Sequence, residues 1–137
     1  MKEMKTLKEA QDEIVEEMSM FDDWLDKYSY LIDLGATLED LPEGSRTDDN
    51  LIKGCQSRVW LSCERDADKI YFKADSDALI TKGIIALLVR VYSGRTVEEI
   101  RQDDFSFLDS IGLKENLSPT RAGGLNAMIA KIKSYAL

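Results

Sequence analysis

The chain has 137 residues, of which 44% are hydrophobic, which is enough for one compact domain with a core and too short for two ordinary domains. Its 26 acidic residues outnumber its 18 basic ones, and the resulting net charge of -8 argues against a surface that neutralises nucleic-acid phosphates. With two cysteines and no histidine, the chain cannot complete a zinc or iron site from these two residue types, nor pair a nucleophile with a histidine base.

The sequence contains neither a recognisable signal peptide nor a long apolar segment, which is typical of a cytoplasmic protein. The stretch "MKEMKTLKEAQDEIVEEM" is charged throughout, unlike a secretory signal peptide. The longest apolar run, residues 83–89, ends at Arg90 and is too short to span a membrane. We therefore expect a soluble cytoplasmic protein that forms one domain over residues 1–137, with no membrane partner.

Two helices are predicted ahead of the first strand. Residues 6–18 favour a weakly amphipathic helix with Leu7, Ile14 and Met18 turned inward. A stronger apolar stripe follows and ends near Gly35, and it consists of Phe21, Trp24, Leu25, Tyr28, Leu31 and Ile32. Leu38 and Leu41 are expected to contact the core before the loop "PEGSRTDDN", residues 42–50.

The middle of the chain predicts a β-hairpin. Residues 57–64 alternate, with Val59, Leu61 and Cys63 on one face. Residues 70–74 repeat the pattern after the turn "RDAD". Leu51 and Ile52 are candidates for a third strand.

Helices complete the chain. Residues 78–92 predict a buried helix that is apolar nearly all round, from Leu79 to Val91. Thr96 and Glu99 fit a capping box for a short helix that ends in "QDDFSF", and Ser118 with Pro119 opens a last helix. Its inward positions are Leu125, Met128, Ile129 and Ile132. This order predicts an α+β fold, with helices packed on one face of a small antiparallel sheet.

The two cysteines differ in setting. Cys63 shares a strand face with apolar residues and is expected to be a small buried hydrophobe. Cys55, in "NLIKGCQSRVW", stands between a loop and a strand beside Gly54, which makes it the candidate reactive thiol. An extended chain would hold the two roughly 26 Å apart, so we expect both to be reduced. Lys53 and Arg58 flank Cys55, and either would lower its pKa if its side chain points that way; otherwise both are solvated surface charges.

Three blocks of the sequence, "GCQSRVW", "SDALITKG" and "LSPTRAGGLNAM", resemble in order and spacing the signature blocks of the SufE family, the sulfur-acceptor proteins that accompany PLP-dependent cysteine desulfurases. The resemblance covers about residues 6–135. It implies a three-stranded sheet with helices on one side, as in iron–sulfur scaffold proteins of the IscU type. It also implies that Cys55 accepts sulfur, supported by its neighbours Gly54, Gln56, Ser57 and Arg58.

The resemblance further implies which partners the chain has. A cysteine desulfurase would supply the sulfur and hold the PLP, so the chain would need no cofactor or metal of its own. A downstream iron–sulfur scaffold would receive the sulfur, although the residues leave modified tRNA or another cofactor open as destinations.

Two further positions match the family's motifs. Asp77, in "SDA", falls where these proteins carry an aspartate near the acceptor loop, and it could instead cap the helix that begins at Ala78. Arg121, in "SPTR", falls where they carry an arginine implicated in partner contact, and it could instead form a surface ion pair. Gly123 departs from the family pattern, which usually has a larger residue there.

Three other functions fit a thiol at this place less well. An iron–sulfur scaffold would need about three cysteines plus a histidine or aspartate, and only two cysteines exist. A sulfurtransferase enzyme of the rhodanese type would cradle its persulfide with backbone amides, whereas the residues after Cys55 turn at once into strand. An interaction module with an inert thiol is the third alternative. The sequence thus favours an acceptor and carrier protein rather than an independent catalyst.

Overall fold

The structure, a computed structural model, describes residues 6–42, 44–55 and 57–136. Helices precede and follow a block of short strands, which confirms the predicted α+β class. In chain order the elements are α1 (Leu7–Ser19), α2 (Trp24–Ala36), β1 (Val59–Asp66), β2 (Lys69–Ser76), α3 (Leu79–Tyr92), β3 (Arg95–Thr96), α4 (Val97–Gln102), α5 (Phe107–Ser110), a 3-10 helix (Lys114–Asn116) and α6 (Pro119–Ser134).

The sheet has the strand order β1-β2-β3, and both pairings are antiparallel. β1 and β2 form the predicted hairpin and pair from Val59 opposite Ser76 to Asp66 opposite Lys69. β3 contributes only two residues, which pair with Lys69 and Ile70. Two residues are too few to produce an alternating pattern, so the sequence does not predict this strand.

The predicted third strand at Leu51 and Ile52 is wrong as a member of the sheet. Leu51 forms one isolated bridge with Trp60, along the edge of β1 that faces away from β2. The pairing stops there because the chain leaves the edge in a loop whose Gly54 has a φ of 96°, a conformation that an extended strand excludes. This loop carries Cys55.

The sheet buries one face. Val59 and Leu61 of β1, and Ile70, Phe72 and Ala74 of β2, are at most 4% exposed and belong to one hydrophobic cluster with the helices. Burial of a large apolar side chain stabilises a fold by about 1.5–3 kcal/mol relative to exposure. The alternate residues of both strands are mostly half-buried or exposed. Helices therefore pack on one face of the sheet, as predicted.

α2 and α3 cross at a glycine. A Cβ added at Gly83 would lie 2.1 Å from the carbonyl oxygen of Leu31, so the crossing requires glycine. At this crossing, the face of α2 that carries Leu31, Leu34 and Gly35 is buried. Leu25, predicted to face inward, is 75% exposed, because hydrophobic spacing does not show where a neighbouring backbone comes closest.

α3 is the buried helix that the sequence predicts, but it begins at Leu79 with Ala78 as its N-cap. Its buried positions start at Thr81, and Leu79 is 68% exposed, so the prediction for Leu79 is wrong. The described helices include none that is both long and apolar enough to cross a membrane.

The N-caps of α4 and α6 are those that the sequence predicts. Thr96 and Glu99 form the predicted capping box of α4, which ends at Gln102. The Ser118 hydroxyl accepts a hydrogen bond from the Arg121 N–H at 3.3 Å and so caps α6. The inward residues of α6 are as predicted, except that Ile129 is only half-buried. The sequence does not predict α5, because its four residues are too few for a recognisable stripe.

Candidate functional site

Cys55 lies in a short loop that is closed at its base by backbone hydrogen bonds. The Ile52 N–H donates to the Val59 carbonyl at 2.8 Å, and the Leu61 N–H donates to the Asn50 carbonyl at 2.8 Å. These bonds fix the two ends of the segment to the edge of β1. The segment between them, residues 53–58 (the acceptor loop), projects Cys55 away from the sheet towards α6.

Two glycines bring Cys55 and α6 together. Gly54 has a left-handed φ of 96°, and a Cβ there would meet the Ala127 side chain at 3.3 Å. A Cβ at Gly124 would lie 3.4 Å from Cys55 Sγ. The Cys55 thiol donates a weak hydrogen bond to the Gly124 carbonyl at 3.6 Å. The absent side chain of Gly54 thus leaves room for Ala127, and that of Gly124 leaves room for the thiol of Cys55.

The Cys55 side chain is half-buried, and burial raises the pKa of its thiol above the ordinary value. Lys53 and Arg58 are exposed, and neither contributes to this shift. Of the two alternatives that the sequence left open for Lys53 and Arg58, this conformation shows solvated surface charges. A thiol in this state is mostly protonated at neutral pH and is a poor nucleophile until its surroundings change.

Asp77 holds the C-terminal end of the acceptor loop through hydrogen bonds to the backbone of Arg58. Its Oδ1 accepts from the Arg58 N–H at 3.0 Å, and its own N–H donates to the Arg58 carbonyl at 3.2 Å. The Ser76 hydroxyl donates to the same carbonyl at 2.8 Å. The prediction that Asp77 caps α3 is wrong, since the N-cap is Ala78 and no side chain caps that helix. The carboxylate is committed to Arg58 instead.

A cavity of about 230 Å³ opens beside Cys55, between the acceptor loop, α3 and the first turns of α6. Hydroxyl groups dominate its polar lining, and Ile84 and Met128 supply an apolar part. The lining residues are Cys55, Ser57, Thr81, Ile84, Ser118, Thr120, Arg121, Gly124 and Met128.

The structure places most of the predicted site residues at or next to this cavity. Cys55, Ser57 and Arg121 line it directly. Gly54 and Arg58 do not line it, but they are the neighbours of Cys55 and Ser57 in the acceptor loop. Arg121 is exposed and forms no ion pair with any residue that the structure describes. Gln56 lies outside the described residues.

Sequence reasoning missed the hydroxyl groups. Thr81, Ser118 and Thr120 line the cavity, and Ser76 holds Arg58. All four belong to the second or third of the sequence blocks quoted above. Their position in those blocks was the one feature of the sequence that could have identified them as residues of the site. The three blocks, far apart in sequence, meet at this one cavity.

A larger groove of about 370 Å³ runs between β2 and the α2–α3 pair, along Leu38, Ala74 and Val89. It contains neither cysteine. Because volume alone supplies no chemistry, the smaller cavity at Cys55 remains the candidate site.

Cys63 is half-buried on the core side of β1, opposite Phe72. It packs against the core as predicted, although less deeply than expected. Both cysteines are free thiols. In the part of the chain that the structure describes, no group of three cysteine, aspartate or glutamate side chains is placed to hold a metal ion.

A family model described as SufE, the Fe-S metabolism associated domain, matches residues 12–136. The chain belongs to the SufE family. Two SufE-like proteins described as uncharacterized support this, one from Rhizobium meliloti at 41% identity over 91% of this chain and 93% of its own length, and one from Rhizobium etli at 40% identity over 91% and 88%.

A solved structure gives independent support for the fold. The solution structure of a hypothetical protein from Thermus thermophilus is similar with a TM-score of 0.76 over 93% of each chain, at 19% identity. The SufE assignment associates the chain with Fe–S metabolism, and Cys55 is the thiol of this SufE domain that lies at a cavity.

Proposed function

We propose that the protein is a sulfur acceptor and carrier, which takes sulfur from a PLP-dependent cysteine desulfurase onto Cys55 and passes it on for iron–sulfur cluster assembly. One observation carries this proposal: in a SufE-family chain, a half-buried thiol sits in a short loop, next to a cavity, at the place where all three sequence blocks meet.

The proposed reaction is an exchange between thiols. The Cys55 thiolate attacks the outer sulfur of a persulfide on the desulfurase, and a new bond forms between Cys55 Sγ and that sulfur. The bond between the outer sulfur and the desulfurase cysteine breaks, and the departing thiolate takes a proton. The outer sulfur keeps its oxidation state, so the step needs no external oxidant, reductant or metal.

The resting geometry suits a carrier that is activated by its partner. Burial keeps Cys55 protonated and weakly reactive towards small oxidants. Docking of the desulfurase would need to draw the acceptor loop away from α6, which returns the thiol towards ordinary ionisation. Because Cys55 is only half-buried in this conformation, no sealed layer of side chains has to be removed first.

The same geometry argues against a rhodanese-type enzyme. Such an enzyme surrounds its persulfide with backbone amide donors, whereas among the described residues the backbone group that hydrogen-bonds to Cys55 Sγ is the Gly124 carbonyl, an acceptor. A scaffold for clusters would need more thiol ligands than the chain has. We therefore propose an accessory protein without independent catalysis, whose partner holds the PLP.

Intact mass spectrometry tests the proposal. The protein is incubated with a PLP-loaded cysteine desulfurase and cysteine under anaerobic conditions, and a gain of one sulfur atom per chain is expected, mapped by peptide analysis to Cys55. Cys55→Ser should gain none and should fail to stimulate desulfurase turnover. Cys63→Ser is the matched control and should keep both loading and stimulation.

Two results would contradict the proposal. Sulfur that maps to Cys63 would show that the wrong thiol was chosen. Sustained conversion of thiosulfate and cyanide to thiocyanate by the protein alone would indicate a rhodanese-type enzyme instead of a carrier.

A further inference from the structure

The cavity at Cys55 has more room than the resting thiol uses. Its volume of about 230 Å³ is several times the roughly 30 Å³ that one water molecule occupies in the liquid. A single additional sulfur atom on Cys55 Sγ therefore fits inside it without displacing a side chain. The question is which groups would hold that atom there.

Thr81 is the unusual member of the lining. It is only 8% exposed, it stands in the first turn of α3, and it borders the cavity. Its hydroxyl forms no hydrogen bond with any residue in the described parts of the chain. Two other hydroxyls in this region already form hydrogen bonds, since Ser118 caps α6 and Ser76 holds Arg58. The hydroxyls of Ser57 and Thr120 also border the cavity, but Ser57 is half-buried and Thr120 is exposed, so Thr81 is the most buried of the three.

The Thr81 hydroxyl must open towards the cavity. Among the residues that the structure describes, every fully enclosed side-chain nitrogen or oxygen has a hydrogen-bond partner, so an unpartnered hydroxyl on a buried residue has to reach an open space. The space that this residue borders is the cavity at Cys55. Water can therefore reach this hydroxyl in the resting protein, and an acceptor held in the cavity can take the place of that water.

We propose that the Thr81 hydroxyl donates a hydrogen bond to the outer sulfur of a Cys55 persulfide, and that this sulfur resides in the cavity between the acceptor loop, α3 and α6. The inference rests on the proposed function, because it concerns the loaded form of the same cysteine. It assigns to Thr81 a role in holding the transferred sulfur between its arrival and its departure.

The chemistry of the two states favours this arrangement. The resting thiol has a proton to donate, and it donates to the Gly124 carbonyl. A persulfide ionises more readily than a thiol, and its anion has no proton for that carbonyl. Its outer sulfur therefore needs donors, and Thr81 borders the same cavity as Cys55 from the side of α3.

The remaining surroundings suit a large, polarisable anion. The N-terminal end of α6 carries a partial positive charge, and it borders the cavity through Ser118 and Thr120. Ile84 and Met128 provide an apolar wall. Contact with apolar side chains is less unfavourable for a large, polarisable sulfur atom than for a water molecule. The donor from α3 and the field of α6 converge on the space next to Cys55 Sγ.

The test uses a persulfide made without a desulfurase, so that it is independent of the proposed partner. In a Cys63→Ser background, Cys55 is converted to a mixed disulfide with a small thiol, and hydrosulfide then displaces that thiol to leave the persulfide. Cyanide removes the outer sulfur as thiocyanate and regenerates the Cys55 thiol, and the rate of thiocyanate formation is measured. Three proteins are compared: Thr81 intact, Thr81→Val, which keeps the shape and removes the hydroxyl, and Thr81→Ser, which keeps the hydroxyl.

We expect Thr81→Val to lose its outer sulfur about fivefold faster, the factor that one ordinary hydrogen bond provides. Thr81→Ser should stay within about twofold of the parent, since it retains the donor. Alkylation of unloaded Cys55 should be the same in all three, because the hydroxyl has no partner in the resting state. Equal thiocyanate rates in all three would overturn the proposal, as would a parallel increase in alkylation of the unloaded thiol, which would indicate a loosened loop.

The two proposals fail separately. A chemically loaded protein that shows the Thr81 effect but takes no sulfur from any desulfurase would contradict the carrier function and leave the cavity's affinity for the outer sulfur intact.

Discussion

Cys55 and Cys63 are eight residues apart, and their thiols are similar in exposure and in the direction of their pKa shifts. Both are half-buried, and burial raises the pKa of each above that of a free thiol, with Arg65 partly opposing the shift at Cys63. Neither exposure nor acidity therefore distinguishes the proposed carrier thiol from the thiol that packs against the core.

The difference lies in the backbone and in the space beside the sulfur. Cys63 sits within β1, opposite Phe72, where the ladder of strand hydrogen bonds fixes its position. Cys55 belongs to a short loop held at its ends, and its sulfur borders a cavity. The proposed carrier role requires a thiol that can move and gain an atom. Of the two cysteines, Cys55 is the one that lies in a loop and borders the cavity at the candidate site.

Alkylation kinetics give the largest expected contrast. At neutral pH we expect iodoacetamide to modify both cysteines about tenfold more slowly in the native protein than in urea, because the thiolate is the reactive form and burial disfavours it. A raised pKa means less thiolate at a given pH, so both rates should climb with a midpoint above the value of about 8.5 for a free thiol. Peptide mapping after timed quenching measures each site separately, and a midpoint below the free-thiol value at Cys55 would contradict a pKa that burial raises.

Asp77→Ala should affect one cysteine and leave the other unchanged. The substitution removes the acceptor of the Arg58 N–H and frees the far end of the acceptor loop. With an exposed bond worth roughly 1 kcal/mol, Cys55 should become about fivefold more reactive to iodoacetamide, while Cys63 keeps its rate. Asp104→Ala is the matched control, because Asp104 also accepts a backbone N–H, from Ser106 at 3.0 Å, but in a different loop. Equal acceleration of both cysteines by Asp77→Ala would mean general destabilisation rather than release of the loop.

The smallest effect is expected at the paired glycines of α6. Gly123→Ala meets open space and should raise the free energy of unfolding by about 0.5–1 kcal/mol, the usual gain of alanine over glycine within a helix. Gly124→Ala places its Cβ 3.4 Å from Cys55 Sγ, so it should gain less and should change the alkylation rate of Cys55 alone. Urea unfolding followed by fluorescence measures the two stabilities, and equal gains without an effect on Cys55 would argue against the described packing of the thiol on α6.

Much of the fold could be predicted from periodicity and capping. The hairpin, the buried α3 and the caps at Thr96 and Ser118 depend on residues that are close together in the sequence. The inward face of α2 was predicted only in part. Leu31 is buried and Trp24 and Tyr28 pack against the core, as predicted. The burial of Leu34 and Gly35 could not be predicted, because it depends on how closely the backbones of α2 and α3 approach at Gly83. β3 could not be predicted either, because two paired residues carry no pattern.

The central residue of the candidate site could be predicted from the sequence, but the contacts around it could not. Cys55 could be chosen from its setting and from the family resemblance, but the partner of Asp77 is a backbone N–H nineteen residues away in the chain. No local rule identifies such a bond. The pKa of Cys55 was likewise beyond sequence reasoning, because charged neighbours in sequence such as Lys53 are exposed and the shift comes from burial.

The anchoring of the acceptor loop also limits how far the sulfur can travel. Ile52 and Arg58 are tied to the edge of β1 and to Asp77, and Cys55 is three residues from each. Three extended residues span about 10 Å, so even a fully everted loop cannot carry its thiol much farther than that from either tether. Under the proposed function, a desulfurase cysteine that lies deeper than this distance can be reached in two ways. Either that cysteine moves outward, or part of this protein enters the opening of the desulfurase.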